Sequence, residues 1–206
     1  MEKLRTTPSQ TIGPFFAYSL TAEQYGYDFN SIVNGVMNDD FTVTPLRDDD
    51  ESVKGERIFI TGSILDGNGN TINDAMIELW QADAKGQYRL NPIQHKNDGF
   101  TGFGRLGTGT NPEHRFTFTT VKPASVEGQA PHIDVIIFMR GLLLHLHTRL
   151  YFSDESTANA TDNLLNSMPE ERRNTLIANK IMTHNSTFYE FNIHLQGDNE
   201  TIFFDI

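Results

Sequence analysis

The segment QAPHID (129–134) carries a histidine and an aspartate two residues apart, at the start of an apolar stretch. Side chains at alternate positions of a β-strand point to the same face, so His132 and Asp134 would project side by side. An imidazole and a carboxylate in this arrangement could hold a metal ion or polarise a substrate. This pair is therefore the first candidate for a functional site.

A second pair of histidines, His145 and His147, lies two residues apart in the predicted strand LLLHLHTRLYF. That spacing could also bind a metal, but half-buried histidines satisfied by the backbone are commoner. The acidic run at 48–51 lacks the spaced oxygen ligands and the turn glycine of a calcium loop, so we interpret it as a solvated loop.

Composition narrows the class of protein. The chain has 206 residues, a net charge of −11 and no cysteine, which excludes disulfides and thiolate chemistry and suits a reducing cytosol. The acidic balance disfavours nucleic acid and anionic membranes as partners. Neither a signal peptide nor an apolar run long enough to cross a bilayer is visible. We expect a cytoplasmic globular protein; an anionic small molecule would need a cationic residue in its pocket.

The elements that must position the candidate residues are predicted to be mainly β-strands. Apolar residues alternate from Arg57, and the segment DGNG (66–69) predicts a hairpin turn followed by a return strand that ends at Trp80. Further strands are predicted at 115–120, 133–139, 142–152, 187–195 and 201–206. Short strands separated by Gly, Asn and Pro indicate a two-sheet β-sandwich or a barrel, and we predict the two-sheet β-sandwich.

One or two short helices complete the predicted fold. Ser167 followed by Glu170 matches a capping box, and apolar residues as far as Ile181 extend the predicted helix. Residues 1–56 show no sustained period and are predicted to form an irregular N-terminal arm of a single domain, 1–206. Because Phe15 and Phe16 are poorly suited to free solvent, we expect the arm to pack on its own domain or on a partner.

Three segments in this order, TPSQTIGPFF, WQADAKGQY and APHID, resemble the intradiol ring-cleaving dioxygenases, and the resemblance extends through LHTRLYF to TIFFD. The catalytic chains of that family hold a non-haem Fe(III) with two tyrosines and two histidines on a β-sandwich. Anionic phenolates suit a hard Fe(III) ion. The resemblance implies that a catechol binds as its dianion and is opened by O2 between its hydroxyl-bearing carbons.

Carried over by motif, the iron ligands are incomplete in this chain. Tyr88 matches the first tyrosine and His132 the first histidine, but Asp134 stands at the second histidine. No tyrosine lies in VKPASVEGQAP, and the stretch beginning at Gln129 lacks the family's charge-stabilising arginine. The resemblance therefore implies that Tyr88, His132 and Asp134 are the vestige of an iron site, with no metal and no catalytic residue in this chain alone.

Within the family, this pattern resembles a subunit that completes the substrate pocket of an iron-bearing beta chain in a higher-order alpha-beta oligomer. The implied reaction converts 3,4-dihydroxybenzoate and O2 to 3-carboxy-cis,cis-muconate, in the beta-ketoadipate pathway of aromatic catabolism. The pocket residues implied by motif are Arg140 in IFMRG with Thr11, Gly13 and Pro14 of the arm. Arg140 would attract and orient the substrate carboxylate.

Two alternatives stay open from the sequence. A self-sufficient metalloenzyme would use Tyr88, His132 and Asp134, with His145 or His147 as a further ligand, and would bind metal as an isolated chain. A non-enzymatic, transthyretin-like β-sandwich interaction module would fit ITGSILDGNGNTINDAMIELWQAD. Such a module has no reason to carry the segment TPSQTIGPFF, which favours the dioxygenase interpretation.

Overall fold

The computed structural model describes residues 13, 20–21, 53–89, 100–183 and 186–205, and these residues form mainly β-strands. The strands are β1 (Arg57–Leu65), β2 (Met76–Trp80), β3 (Phe103–Gly107), β4 (Arg115–Val121), β5 (His132–Phe138), β6 (Leu146–Phe152), β7 (Ile177–Thr183), β8 (Ser186–Glu190) and β9 (Ile193–His194). Two short helices, α1 (Ser156–Asn159) and α2 (Asn163–Ser167), and a 3-10 helix (Glu170–Leu176) precede β7.

The strands follow the order β3-β2-β5-β6-β7-β8-β1-β4, and β9 pairs with β1. β7 joins two halves, because it pairs in parallel with β6 and antiparallel with β8. One core cluster takes side chains from both halves, including Ile60 of β1, Phe118 of β4, Leu79 of β2 and Val135 of β5. Alternate residues of these strands face inward, which gives the layered arrangement of a β-sandwich. The prediction of a mainly β fold with short helices is confirmed.

The predicted hairpin is only half correct. The Asp66 carboxylate accepts hydrogen bonds from the N–H groups of Asn68 and Asn70, both at 2.8 Å, so the DGNG turn forms. After a single bridge between Leu65 and Thr71, however, the chain leaves β1. The return strand β2 pairs with β3 and β5 in the other half of the sandwich. A turn motif fixes the local reversal of the chain, whereas strand pairing depends on which apolar faces meet in the core.

The predicted helix from Ser167 to Ile181 is wrong. Residues 170–176 form a 3-10 helix without a side-chain cap, and Ile177–Thr183 is strand β7. The backbone of β7 pairs with β6 at Ile177, opposite Tyr151, and with β8 at Ile181, opposite Phe188. These ladder hydrogen bonds override a short helical pattern that contains β-branched residues.

β5 is the strand that positions both candidate regions. It runs between β2 and β6, with His132 at its first position and the turn that carries Arg140 just after its last. Most of the predicted arm lies outside the described residues, including Thr11 and Pro14. Among the residues that the structure describes, no helix is long and apolar enough to span a membrane.

Candidate functional site

His132 and Tyr88 form a direct hydrogen bond. The His132 side chain is buried, and its Nδ1 lies 2.7 Å from the carbonyl oxygen of Ala130. A carbonyl can only accept, so Nδ1 carries the proton and Nε2 keeps its lone pair. The Tyr88 hydroxyl, 3.3 Å from Nε2, donates to that lone pair. The Tyr88 oxygen and the His132 Nε2, the two atoms that would face a metal, therefore face each other.

The surroundings keep this pair neutral. Burial lowers the pKa of His132, despite the hydrogen bond to Ala130 that favours the protonated ring. Burial also raises the pKa of Tyr88, and the nearby charge of Asp134 raises it further. The Trp80 ring stacks on Tyr88, with centroids 6.2 Å apart and planes 10° from parallel. Near pH 7 the two groups thus form an uncharged, packed pair.

Asp134 is neutralised by an arginine from the neighbouring strand. The register of β5 and β6 places Asp134 opposite Arg149, and the Arg149 Nε donates to the Asp134 carboxylate at 3.0 Å. Arg149 also donates to the Gln129 side-chain oxygen at 2.7 Å, while His147 Nε2 lies 3.6 Å from the same carboxylate oxygen. Burial by itself would raise the pKa of Asp134, but the His147 ring and the Arg149 guanidinium outweigh it and lower the pKa.

A fully buried carboxylate, Asp162, supports the loop that orients His132. It caps helix α2 by accepting the N–H of Leu165 at 2.8 Å, and it accepts the N–H of Ala130 at the same distance. The Tyr151 hydroxyl donates to it at 3.3 Å. Because Ala130 also accepts the hydrogen bond from His132, Asp162 fixes the position of the histidine. Neither Asp162 nor Arg149 was predicted as a site residue from the sequence. The position of Asp162 just before helix α2 is the local signal that could have identified it.

The donor set at this location does not fit Fe(III). The family's second phenol is missing, and the Arg149 guanidinium, whose Nε lies 3.0 Å from the Asp134 carboxylate, opposes a trivalent cation. Among the described residues, no group of three or more His, Cys, Asp or Glu could hold a metal ion. Of the two further histidines considered above, His147 lies beside Asp134, whereas His145 is exposed and packs against Phe138. A self-sufficient iron enzyme is therefore not supported.

The predicted pocket arginine lies far from the Tyr88–His132 pair. β5 extends from His132 to Phe138, roughly 20 Å at about 3.3 Å per residue, and Arg140 lies in the turn beyond its far end. Its side chain is 63% exposed and forms an ion pair with Asp74. Gly13 is half-buried, and a Cβ built on it would have no neighbour within 4 Å. The structure thus separates the predicted vestigial site from the predicted pocket residue Arg140.

Comparisons with known proteins agree with this architecture. The Dioxygenase_C family, described as dioxygenase, matches residues 34–197. The alpha chain of protocatechuate 3,4-dioxygenase from Burkholderia cepacia is 44% identical over 208 residues and is covered completely, as is this chain. The beta chain from the same organism is 30% identical, over 87% of this chain and 80% of its own length.

A solved structure shares the fold. The intradiol ring-cleavage dioxygenase from Tetranychus urticae has a TM-score of 0.58 and 18% identity, over 77% of this chain and 88% of that protein. The family match over most of the chain favours a dioxygenase over a transthyretin-like module. The chain therefore belongs to the intradiol dioxygenase family, and it aligns over its full length with an alpha chain of protocatechuate 3,4-dioxygenase.

Proposed function

We propose that this chain is the subunit of a protocatechuate 3,4-dioxygenase that binds no iron and completes the substrate pocket of an Fe(III)-bearing beta chain. The assembled enzyme opens 3,4-dihydroxybenzoate with O2 to 3-carboxy-cis,cis-muconate, a step of the beta-ketoadipate pathway. The subunits form a higher-order alpha-beta oligomer in the cytoplasm. The full-length identity to an alpha chain and the weaker identity to a beta chain support this division of labour.

The observation that carries the proposal is the arginine that lies beside Asp134, at a position where the family's catalytic chains have a metal ligand. In the family, two tyrosines and two histidines hold the iron; here a single phenol is present, and it forms a hydrogen bond with His132. Asp134, at the position of the second histidine, pairs with Arg149 instead of a metal. Since these residues do not fit the ion, the ring-opening chemistry belongs to another chain.

Arg140 gives this chain a direct part in substrate binding. When both hydroxyls of 3,4-dihydroxybenzoate bind iron, the carboxylate at the other end of the ring still needs a cation. Arg140 is an exposed cation on a chain of net charge −11, and a guanidinium matches a carboxylate with paired donors. Because Arg140 is far from the vestigial site, the pocket that it lines is one completed by the beta chain. Thr11, Gly13 and Pro14 are proposed to line the same pocket.

The first experiment compares iron per chain in two preparations: this chain expressed alone and shown to be folded, and this chain coexpressed with its beta chain. The expected result is no iron in the lone chain and about one iron per alpha-beta pair. Stoichiometric iron in the lone chain would mean that Tyr88, His132 and Asp134 still bind metal, and the proposal would be wrong.

A second experiment tests the pocket. In the coexpressed enzyme, Arg140→Ala should raise KM for 3,4-dihydroxybenzoate about 10- to 100-fold, the loss expected for a charge-assisted hydrogen bond, with little loss of iron. Arg172→Ala is the matched control, because Arg172 is also exposed and, like Arg140, pairs with a carboxylate, that of Glu200. Kinetics of Arg140→Ala equal to those of the control would remove Arg140 from the pocket.

A further inference from the structure

We propose that Asp74 is a positioning residue for substrate binding. It holds the Arg140 guanidinium by its Nε edge and leaves both Nη groups free for the substrate carboxylate. This inference rests on the proposed function of Arg140 and adds a second residue to it. Asp74 itself touches neither substrate nor metal in this scheme.

The topology brings the two residues together. Met76, the first residue of β2, faces Phe138, the last residue of β5, in an antiparallel pair. Asp74 and Arg140 each lie two residues beyond this last pair, so the chain brings both to the same end of the two strands. The Asp74 carboxylate accepts a hydrogen bond from the Arg140 Nε, which completes an ion pair at the end of the two strands.

Asp74 is the better anchored of the two partners. Its side chain is 26% exposed, against 63% for Arg140. The next residue, Ala75, is buried and is tied on both sides to Thr108: the Ala75 N–H donates to the Thr108 hydroxyl at 3.2 Å, and the Thr108 N–H donates to the Ala75 carbonyl at 2.9 Å. The carboxylate thus projects from a fixed point of the sandwich.

Arg140, by contrast, sits in an exposed turn. The Leu142 N–H donates to the Met139 carbonyl at 3.5 Å, and Gly141 has φ +87°, a conformation that favours glycine. Within the described ranges, the ion pair with Asp74 is the one side-chain interaction of Arg140. An unsupported arginine at such a turn would sample many rotamers, so the contact with Asp74 selects among them.

The geometry suits a planar guanidinium. Arg carries five N–H donors in a rigid fork, and a bond at Nε leaves the edge formed by the two Nη groups open to a second carboxylate. Asp74 also contributes a negative charge, which repels the substrate carboxylate. Loss of the positioning contact should raise KM, whereas loss of the negative charge should lower it. A test has to separate these two effects.

Two substitutions make that separation. In the coexpressed enzyme, Asp74→Asn and Asp74→Ala lose the same charge, but only asparagine keeps an oxygen that can accept from Nε. If Asp74 positions Arg140, KM for 3,4-dihydroxybenzoate should be about 3- to 10-fold higher in Asp74→Ala than in Asp74→Asn, the cost of ordering one long side chain on binding. Iron content and kcat should match between the two variants.

Catechol serves as the control ligand, because it lacks the carboxylate. Its affinity, measured by optical titration, should be the same in both variants, and Asp198→Ala controls for the loss of an exposed acid elsewhere. Equal KM values for 3,4-dihydroxybenzoate in the two Asp74 variants, or an equal change for catechol, would overturn the inference. If Asp74→Ala fails to assemble, Asp74→Leu takes its place, because leucine has a shape close to that of asparagine but no hydrogen-bond acceptor.

The same two Asp74 substitutions, made in the Arg140→Ala variant, distinguish the role proposed for Arg140 from the role proposed for Asp74. In that variant the difference in KM between Asp74→Ala and Asp74→Asn should vanish, because the guanidinium to be positioned is gone. If Arg140→Ala alone leaves KM unchanged, the proposed role of Arg140 fails. If Arg140→Ala raises KM and the two Asp74 variants remain equal, only the positioning role of Asp74 fails.

Discussion

Replacing Arg149 by methionine should destabilise the folded chain, because it leaves the Asp134 carboxylate without its cation. The Arg149 and Asp134 side chains are 14% and 16% exposed, and Arg149 also bonds to Gln129. Methionine keeps much of the buried volume but supplies neither charge nor donors. What the substitution tests is whether Arg149 neutralises the Asp134 carboxylate.

The size of the effect follows from burial. Removing one partner of a fully buried ion pair costs about 3–5 kcal/mol. Here both side chains keep some contact with water, and His147 lies 3.6 Å from the carboxylate, so we expect about 2–4 kcal/mol. For a chain of this length, that corresponds to a fall in Tm of roughly 5–15 °C.

Thermal and urea unfolding of four proteins would measure this: the original chain, Arg149→Met, Asp134→Asn and the double variant. The double variant should be more stable than Arg149→Met, because no unpaired charge remains. Arg172→Met is the control, since its pair with Glu200 at 3.7 Å is about 40% exposed on both sides and should change stability by about 1 kcal/mol or less. Additive effects of the two single substitutions would refute the pairing.

Three further outcomes are expected. Asp162→Ala should lower the free energy of unfolding in urea by about 2–4 kcal/mol, because the N–H of Ala130 and two other donors lose a buried acceptor. Asp162→Asn should recover part of this loss, and equal stability of the two variants would contradict the prediction. Burial holds the pKa of His132 below its ordinary 6.5, so the unfolded chain takes up that proton first. Stability that is present above pH 6.5 is then lost as the pH falls toward the folded pKa, and between about pH 7.5 and 5 Tm should fall more steeply than in His132→Gln; parallel curves would refute the buried neutral ring. Gly62→Ala should cost about 3 kcal/mol or more, because the new Cβ would lie 1.9 Å from the Phe191 carbonyl oxygen; stability equal to that of Gly67→Ala, where only a flexible side chain is near, would show that the core relaxes.

Much of the fold could be predicted from local patterns. The alternation in β1, β4 and β5 identifies strands with one face in the core, and DGNG identifies a turn, because both signals depend on neighbours in sequence. The helix predicted through Ile181 failed for the opposite reason: the backbone of β7 is satisfied by β6 and β8, which are remote in the chain.

The candidate site likewise combines features that the sequence predicts with contacts that depend on the tertiary structure. The resemblance predicts from the linear sequence that Tyr88, His132 and Asp134 are an incomplete set of iron ligands, since the family's second tyrosine and second histidine are missing. Only the tertiary structure decided which side chains these residues contact. Arg149 meets Asp134 through the register of two antiparallel strands, and Asp74 meets Arg140 just beyond the last residue pair of β2 and β5. Alternation tells which face a side chain occupies, but strand order and register, set by packing of the whole core, decide which side chain lies opposite.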